Sequence, residues 1–319
     1  LTTLAGGRGG CTPSRAMSPT RAASHAGSWY SDKGPTLAGE LSKWLDVAAA
    51  APAGPGGRTR ALIAPHAGYA YSGPTAAYAY RHVDPSAVRR VFILGPSHHV
   101  FTRACALTAT RAYATPLGDI PIDRATTDEL HATGAFEVMS QSTDEDEHSI
   151  ELHLPYVQHV MRGHPFQLVP ILVGALTADS EAQYGRLLAP YLADSSTLLI
   201  ISTDFCHWGR RFNFTHYDPK HEQICQSIEA LDRRGMELIE QQDPGGFHAY
   251  QREFRNTICG QHPIAVLLHA LNALGTRAQS DGGPVQHHLK FVQYAQSQRV
   301  TRQDESSVSY AAAVVTLAA

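Results

Sequence analysis

Ala61-Leu-Ile-Ala-Pro-His66-Ala-Gly68 is the stretch whose reading decides the fold. A short uncharged apolar run that stops at a turn suits a strand buried on both faces. A histidine follows at once. The same arrangement returns in Val91-Phe-Ile-Leu-Gly-Pro-Ser-His98-His99 and in Leu198-Leu-Ile-Ile-Ser-Thr-Asp204-Phe-Cys-His207. In open α/β sheets the carboxyl ends of the strands share one edge, where ligands bind. Three such runs therefore predict one cleft rich in imidazole, carboxylate and thiol, the chemistry of a metal or acid–base site.

Between these strands the pattern alternates. Leu37, Leu41, Trp44 and Leu45 have the spacing of an amphipathic helix over 35–47. Further helices are expected at 123–131, 149–161, 178–192 and 261–274, with strands at 59–64, 90–95, 167–173 and 197–202. A small-residue helix is placed after Gly73-Pro74, running to Arg81. Asp218-Pro219 has the form of a helix start, carboxylate as N-cap and proline at the first helical position, with Ile224, Ile228 and Leu231 following at core spacing. Segments 288–294 and 307–317 read as closing strands antiparallel to their neighbours. The fold class is α/β, a mixed central sheet flanked by helices. No repeat or linker divides 24–319, which is read as a single domain.

The 319 residues are 43% apolar and 17% charged, a balance that supports a large buried core. A net charge of -3 gives no bulk attraction to nucleic acid or an anionic membrane. No apolar run approaches the roughly 18 residues of a membrane span. Cys11, Cys105, Cys206, Cys225 and Cys259 are scattered, odd in number and free of any Cys-x-x-Cys pair. That usage favours a reducing compartment, and a cytoplasmic location is expected. Residues 1–23 carry Arg8, Arg15 and Arg21 ahead of the first acid, Asp32, with few large apolar side chains. They read as a disordered leader of the kind transit peptides resemble, with Met17 as an alternative start.

His66 and His98 stand at two strand ends, joined by Asp204 and His207 at a third. Adjacent residues of an extended segment face opposite ways, so one of His98 and His99 points at any given centre. Glu147-His148-Ser-Ile-Glu151 opens a helix, and His148 and Glu151 can share its face. The preceding acids also complement a helix dipole. Cys259, in Asn256-Thr-Ile-Cys-Gly260, stands at the entrance to a helix with Pro263 in its first turn, a place that favours thiolate. His221-Glu222-Gln-Ile-Cys225 starts like a zinc-protease helix but has cysteine where the second histidine belongs. Gly95-Pro-Ser97 does not complete a nucleophile elbow, and no phosphate-binding glycine loop follows any strand.

Together these segments resemble the Memo family, mediators of receptor-driven cell motility and their microbial relatives. The resemblance spans Ser24 to the C-terminus. It rests on Ser24-His-Ala-Gly-Ser-Trp-Tyr30, Ile63-Ala-Pro-His-Ala-Gly-Tyr69, Phe92-Ile-Leu-Gly-Pro-Ser-His-His-Val100 and Thr143-Asp-Glu-Asp-Glu-His-Ser-Ile-Glu151. It continues through Asp204-Phe-Cys-His-Trp-Gly209, Asn256-Thr-Ile-Cys-Gly260 and Ser306-Ser-Val-Ser-Tyr310. The resemblance implies a fold like that of the class III extradiol dioxygenases, which hold non-haem iron with two histidines and a carboxylate. Carried over, it implies His66 and His98 as imidazole ligands, with Cys259 where those enzymes have the carboxylate. Asp204, His207 and His148 are then the expected catalytic groups of the pocket. A thiolate is softer than a carboxylate, so the implied cofactor is iron or copper, with zinc also compatible.

The implied function is that of a metal-dependent redox protein, an oxidoreductase linked to signalling. Ring-opening dioxygenation does not follow from fold alone. The alternative implied by the resemblance is a non-catalytic adaptor binding phosphotyrosine peptides of a signalling protein through the same cleft. The chain lacks the arginine cluster usual for phosphate recognition, and Arg210-Arg211 reads as a solvated loop. No residue pattern names a small-molecule substrate.

Overall fold

The protein is described from a computed structural model covering residues 20–52, 54, 56–281 and 287–317. Its first half runs β1 (Thr20–Arg21), α1 (Gly34–Ala49), β2 (Arg58–Ala64), α2 (Tyr69–Tyr80), β3 (Arg90–Pro96), β4 (Cys105–Leu107), β5 (Ala112–Tyr113), β6 (Ile120–Pro121), α3 (Arg124–Ala132), β7 (Phe136–Val138), α4 (Gln141–Asp146), α5 (His148–Glu151) and α6 (Leu154–Val160). The second half adds β8 (Gln167–Val173), α7 (Ala178–Ala193), β9 (Thr197–Ser202), β10 (His207–Trp208), α8 (Ile224–Glu240), α9 (Pro244–Phe254), α10 (Gln261–Asp281), β11 (His287–Gln296) and β12 (Ser307–Leu317).

Among the described residues nine strands form one mixed sheet in the order β10-β12-β2-β9-β3-β8-β4-β7, with β11 also paired to β12. Strands β2, β9, β3 and β8 are parallel, and β12 closes antiparallel against β2. Along each central strand successive side chains face opposite sides. Leu62, Ala64, Val91, Ile93, Leu198 and Ile200 pack with side chains of α1, α2 and α6. Ala61, Ile63, Phe92, Leu94, Leu199 and Ile201 pack with α7, α8, α9 and α10. Burial on both faces explains why these runs show no polar alternation. Each large side chain so buried contributes about 1.5–3 kcal/mol. Among the described residues no helix is long and apolar enough to cross a membrane.

Gly95 lets α5 lie directly on β3. A Cβ there would stand 2.4 Å from Ser149 Oγ and 2.7 Å from Ile150 Cγ1. Gly95→Ala is expected to destabilise the fold by about 1–3 kcal/mol through overpacking. A denaturant midpoint unchanged from the parent would show that α5 can move off the strand.

Several local expectations are corrected. Helix α2 begins at Tyr69, before Gly73-Pro74, and Pro74 lies inside it. Gly73 fits because Trp44 packs where a Cβ would sit, and its carbonyl accepts the Tyr156 hydroxyl. The helix expected over 149–161 is broken into α5 and α6, with Pro155 in the first turn of α6. Proline has no N–H to continue the ladder. Helix α8 starts at Ile224, not at Asp218, whose carboxylate instead accepts from Lys220 N in a local turn.

The ordered fold also reaches further back than the expected boundary at Ser24. β1 pairs with β5, and Arg21 is fully buried, bonding Asp144 Oδ1 at 2.9 Å and Glu151 Oε2 at 2.7 Å. A single arginine among small residues carries no sequence signal of burial. The remainder of the expected leader, residues 1–19, lies outside the described residues.

Candidate metal centre

Strands β2, β9 and β3 are neighbours, and each is followed two positions later by a polar side chain: His66, Asp204 and His98. The loop between α9 and α10 brings Cys259 to the same edge. Its Sγ lies 3.3 Å from His66 Nε2, 193 positions away in sequence. The ligand atoms of His66, His98 and Cys259 all lie within 4.8 Å of one another.

The two imidazoles are held by different partners. Ser202 Oγ donates to Ser149 O at 2.6 Å, so it accepts from His66 Nδ1–H, also at 2.6 Å. His66 Nε2 is left as the lone-pair atom facing the thiol. Burial and the surrounding imidazoles hold His66 well below its ordinary pKa, hence neutral. At the mouth of the cleft, His98 places Nδ1 2.9 Å from Glu147 Oε1, and its backbone N–H donates to the other carboxylate oxygen. Burial works against charge there, yet hydrogen bonds to Cys259 and Glu147 push His98 up to about 10. Glu147 is buried too, and its bonds with His98 hold it down to about 2.

Cys259 differs from the thiolate expected at a helix entrance. Burial pushes its pKa up, although His98 and the Asp204 amide act in the opposite direction. Desolvation is the largest of these effects. Asp204 Oδ1 accepts the His66 backbone N–H at 3.0 Å, and Asp204 N donates to the Cys259 sulfur at 3.2 Å. Burial raises the Asp204 carboxyl, opposed by His207 and by the backbone amides. His207 points Nδ1 at two carbonyls, Phe205 O at 2.9 Å and Thr257 O at 3.0 Å. Carbonyls only accept, so Nδ1 carries the proton and Nε2 is the basic atom.

His148 and Glu151, grouped by helical spacing, part company. The His148 ring stacks on His98 at 4.5 Å and meets His66 edge-on at 5.4 Å. Burial and the neighbouring His98 lower it to about 4. With His98 and Glu147 it forms a second group of atoms close enough to hold an ion. Glu151 turns away, accepting from Arg21, Tyr30 and His25. His221 and Cys225 join no such group among the described residues.

Sequence reasoning missed Glu147 and Ser202, which orient the rings, and Trp29, whose indole lies 4.4 Å from the His148 ring. Glu147 stood in an acidic run that a helix dipole already explained. The only signal for Trp29 was its place in the motif 24–30.

A mixed α/β sheet that gathers two oriented imidazoles and a thiol at its carboxyl edge defines an α/β protein with a candidate transition-metal centre. The chain belongs to the Memo family, whose model, described as Memo-like protein, matches residues 21–314. It is 52% identical to Protein MEMO1 of Danio rerio over 294 residues, covering 92% of this chain and 96% of that one. Against Protein MEMO1 of Homo sapiens the identity is 50% over 301 residues, covering 93% and 97%. Among solved structures, the uncharacterized protein JW3007 of Escherichia coli K12 aligns with a TM-score of 0.45 and 14% identity, covering 85% of this chain and 91% of that one. That likeness is too weak to inform function.

Proposed function

We propose that this Memo family protein binds a redox-active metal, iron or copper, through His66, His98 and Cys259. The observation that supports it most is the meeting of these donors within 4.8 Å, with each histidine's Nδ1 already engaged elsewhere. Two imidazole nitrogens and one sulfur fit such an ion and leave coordination positions open. Bound iron or copper would supply one-electron chemistry that no side chain of the cleft can. The chain's own groups have distinct tasks. Ser202 and Glu147 fix the rings, Asp204 holds the His66 backbone, and His207 Nε2 is the base available to take a proton. His148, neutral and stacked on His98, forms the wall of the cleft. Scattered, odd-numbered cysteines favour reducing surroundings, so we place the protein in the cytoplasm, as a single-domain participant in signalling.

Glu147→Gln is expected to weaken metal affinity about 10–100-fold without removing a ligand, the usual penalty for losing a ring-orienting partner. Titration with cobalt(II) measures it, and an unchanged affinity would deny Glu147 that role. A second reading draws on Trp29, 37% exposed beside the cleft histidines. Its indole offers a surface on which the ring of a phosphotyrosine peptide could stack. Full phosphopeptide affinity in His66→Ala and Cys259→Ser protein that has lost its metal would favour the adaptor over the redox protein.

A further inference from the structure

We infer that Asp232, which contacts none of the candidate ligands, is the positioning residue that sets the two ligand-bearing loops against each other. The inference rests on the metal-centre reading for its purpose, but not for its geometry. Asp232 lies on α8 and is fully buried. Its Oδ1 accepts from Cys206 N at 3.2 Å, in the loop between Asp204 and His207. The same oxygen accepts from Asn256 Nδ2 at 2.9 Å, in the loop that leads to Cys259. One oxygen atom thus anchors both loops. Its Oδ2 accepts from Tyr294 on β11 at 2.9 Å, and Ser309 of β12 supplies a further hydrogen bond.

The loops also clasp each other above this point. His207 N donates to Thr257 Oγ1 at 2.7 Å, and Gly260 N donates to Thr203 Oγ1 at 3.0 Å. These bonds join loop to loop, whereas Asp232 joins both to a helix packed in the core. Burial raises the Asp232 carboxyl to about 6. A carboxylate kept where the fold would more easily hold a neutral group is retained for where its oxygens point. An amide can reproduce that pattern. In Asp232→Asn the remaining side-chain oxygen would accept the same two donors. The new NH2 would donate to the Tyr294 oxygen, which can turn its own proton to Ser309 Oγ 3.1 Å away.

The test compares Asp232→Ala and Asp232→Asn in full-length protein carrying Cys11→Ser. Two readouts are used: cobalt(II) affinity with its thiolate-to-cobalt absorption, and alkylation of Cys259 in metal-free protein. In the alanine variant cobalt affinity should fall at least about tenfold, the scale of a lost orienting partner, and the absorption should weaken. Metal-free Cys259 should be alkylated severalfold faster. Asp232→Asn should keep both properties near the parent. Parental affinity and alkylation in Asp232→Ala would overturn the inference, as would an asparagine variant as impaired as alanine. If Asp232→Ala does not fold, Asn256→Ala breaks one anchor only and must show the same losses. Should the parent bind no cobalt, the metal reading fails while the alkylation comparison still decides the role of Asp232.

Discussion

Cys259→Ser protein, purified without added metal or an affinity tag, is expected to contain almost no iron or copper, while the parent holds a stoichiometric amount. Serine keeps the size of the side chain and loses the polarisable sulfur. Its hydroxyl does not ionise at neutral pH, so a soft anionic donor becomes a hard neutral one. Because the sulfur is one of only three donors, the loss of affinity should exceed the roughly 10–100-fold that a supporting residue commands. His66→Ala and His98→Ala should lose metal as well, with far-ultraviolet dichroism unchanged. His207→Ala should retain metal, because the Nε2 of His207 belongs to neither ligand group. Uptake should strengthen as pH rises from about 6 to 8, since thiol and imidazole ligands must shed protons to bind. Elemental analysis and titration calorimetry read these outcomes. Normal metal content in Cys259→Ser would remove the sulfur from the centre.

The second large effect concerns stability. Glu151→Ala is expected to destabilise the protein by about 3–5 kcal/mol, because it leaves a buried guanidinium without one of its carboxylates. Arg21 and Glu151 are both fully inaccessible to solvent and lie 2.7 Å apart. Tyr30 and His25 lose their acceptor in the same stroke. Against burial, which acts to raise it, His25, Arg21 and Tyr30 hold the Glu151 carboxyl down to about 2. A carboxylate whose folded pKa is depressed stabilises the fold fully above its unfolded value, about 4.3, and the contribution disappears as pH falls toward the folded one. The stability of the parent, read by chemical denaturation, should therefore fall as pH drops from roughly 4.5 to 2. Glu151→Gln should start less stable and lose less over that window. Equal slopes in the two proteins would assign the acid sensitivity to other groups, Glu147 first, since it too is held down to about 2.

The strands were legible in the sequence because burial on both faces leaves uninterrupted apolar runs. The carboxyl-edge rule then directs attention to His66, His98 and Asp204 without any knowledge of strand order. Other features depend on partners that no local pattern names. Ser202 is an ordinary strand-end serine until the Ser149 carbonyl and the His66 ring converge on its hydroxyl. Glu151 shares a helical spacing with His148, but α5 is a single turn ended by the approach of Pro155, and the two side chains serve different networks. Arg21 is buried because Asp144 and Glu151, more than a hundred positions away, surround it. Asp218 looked like a cap because a carboxylate before proline favours one, yet its own local turn uses the oxygen first.

The placement of β9 between β2 and β3 has a consequence for biosynthesis. A growing chain that has released only its first six helices can offer two histidines, but the strand that separates and braces their carriers has not yet been made. The sulfur emerges later still, and β12, which flanks β2, follows every other strand in chain order. Acquisition of the proposed metal would thereby wait until Cys259 and then β12 have left the ribosome. Premature termination between Cys259 and Ser307 yields a polypeptide that possesses all three candidate donors yet lacks the β12 strand that closes the sheet against β2.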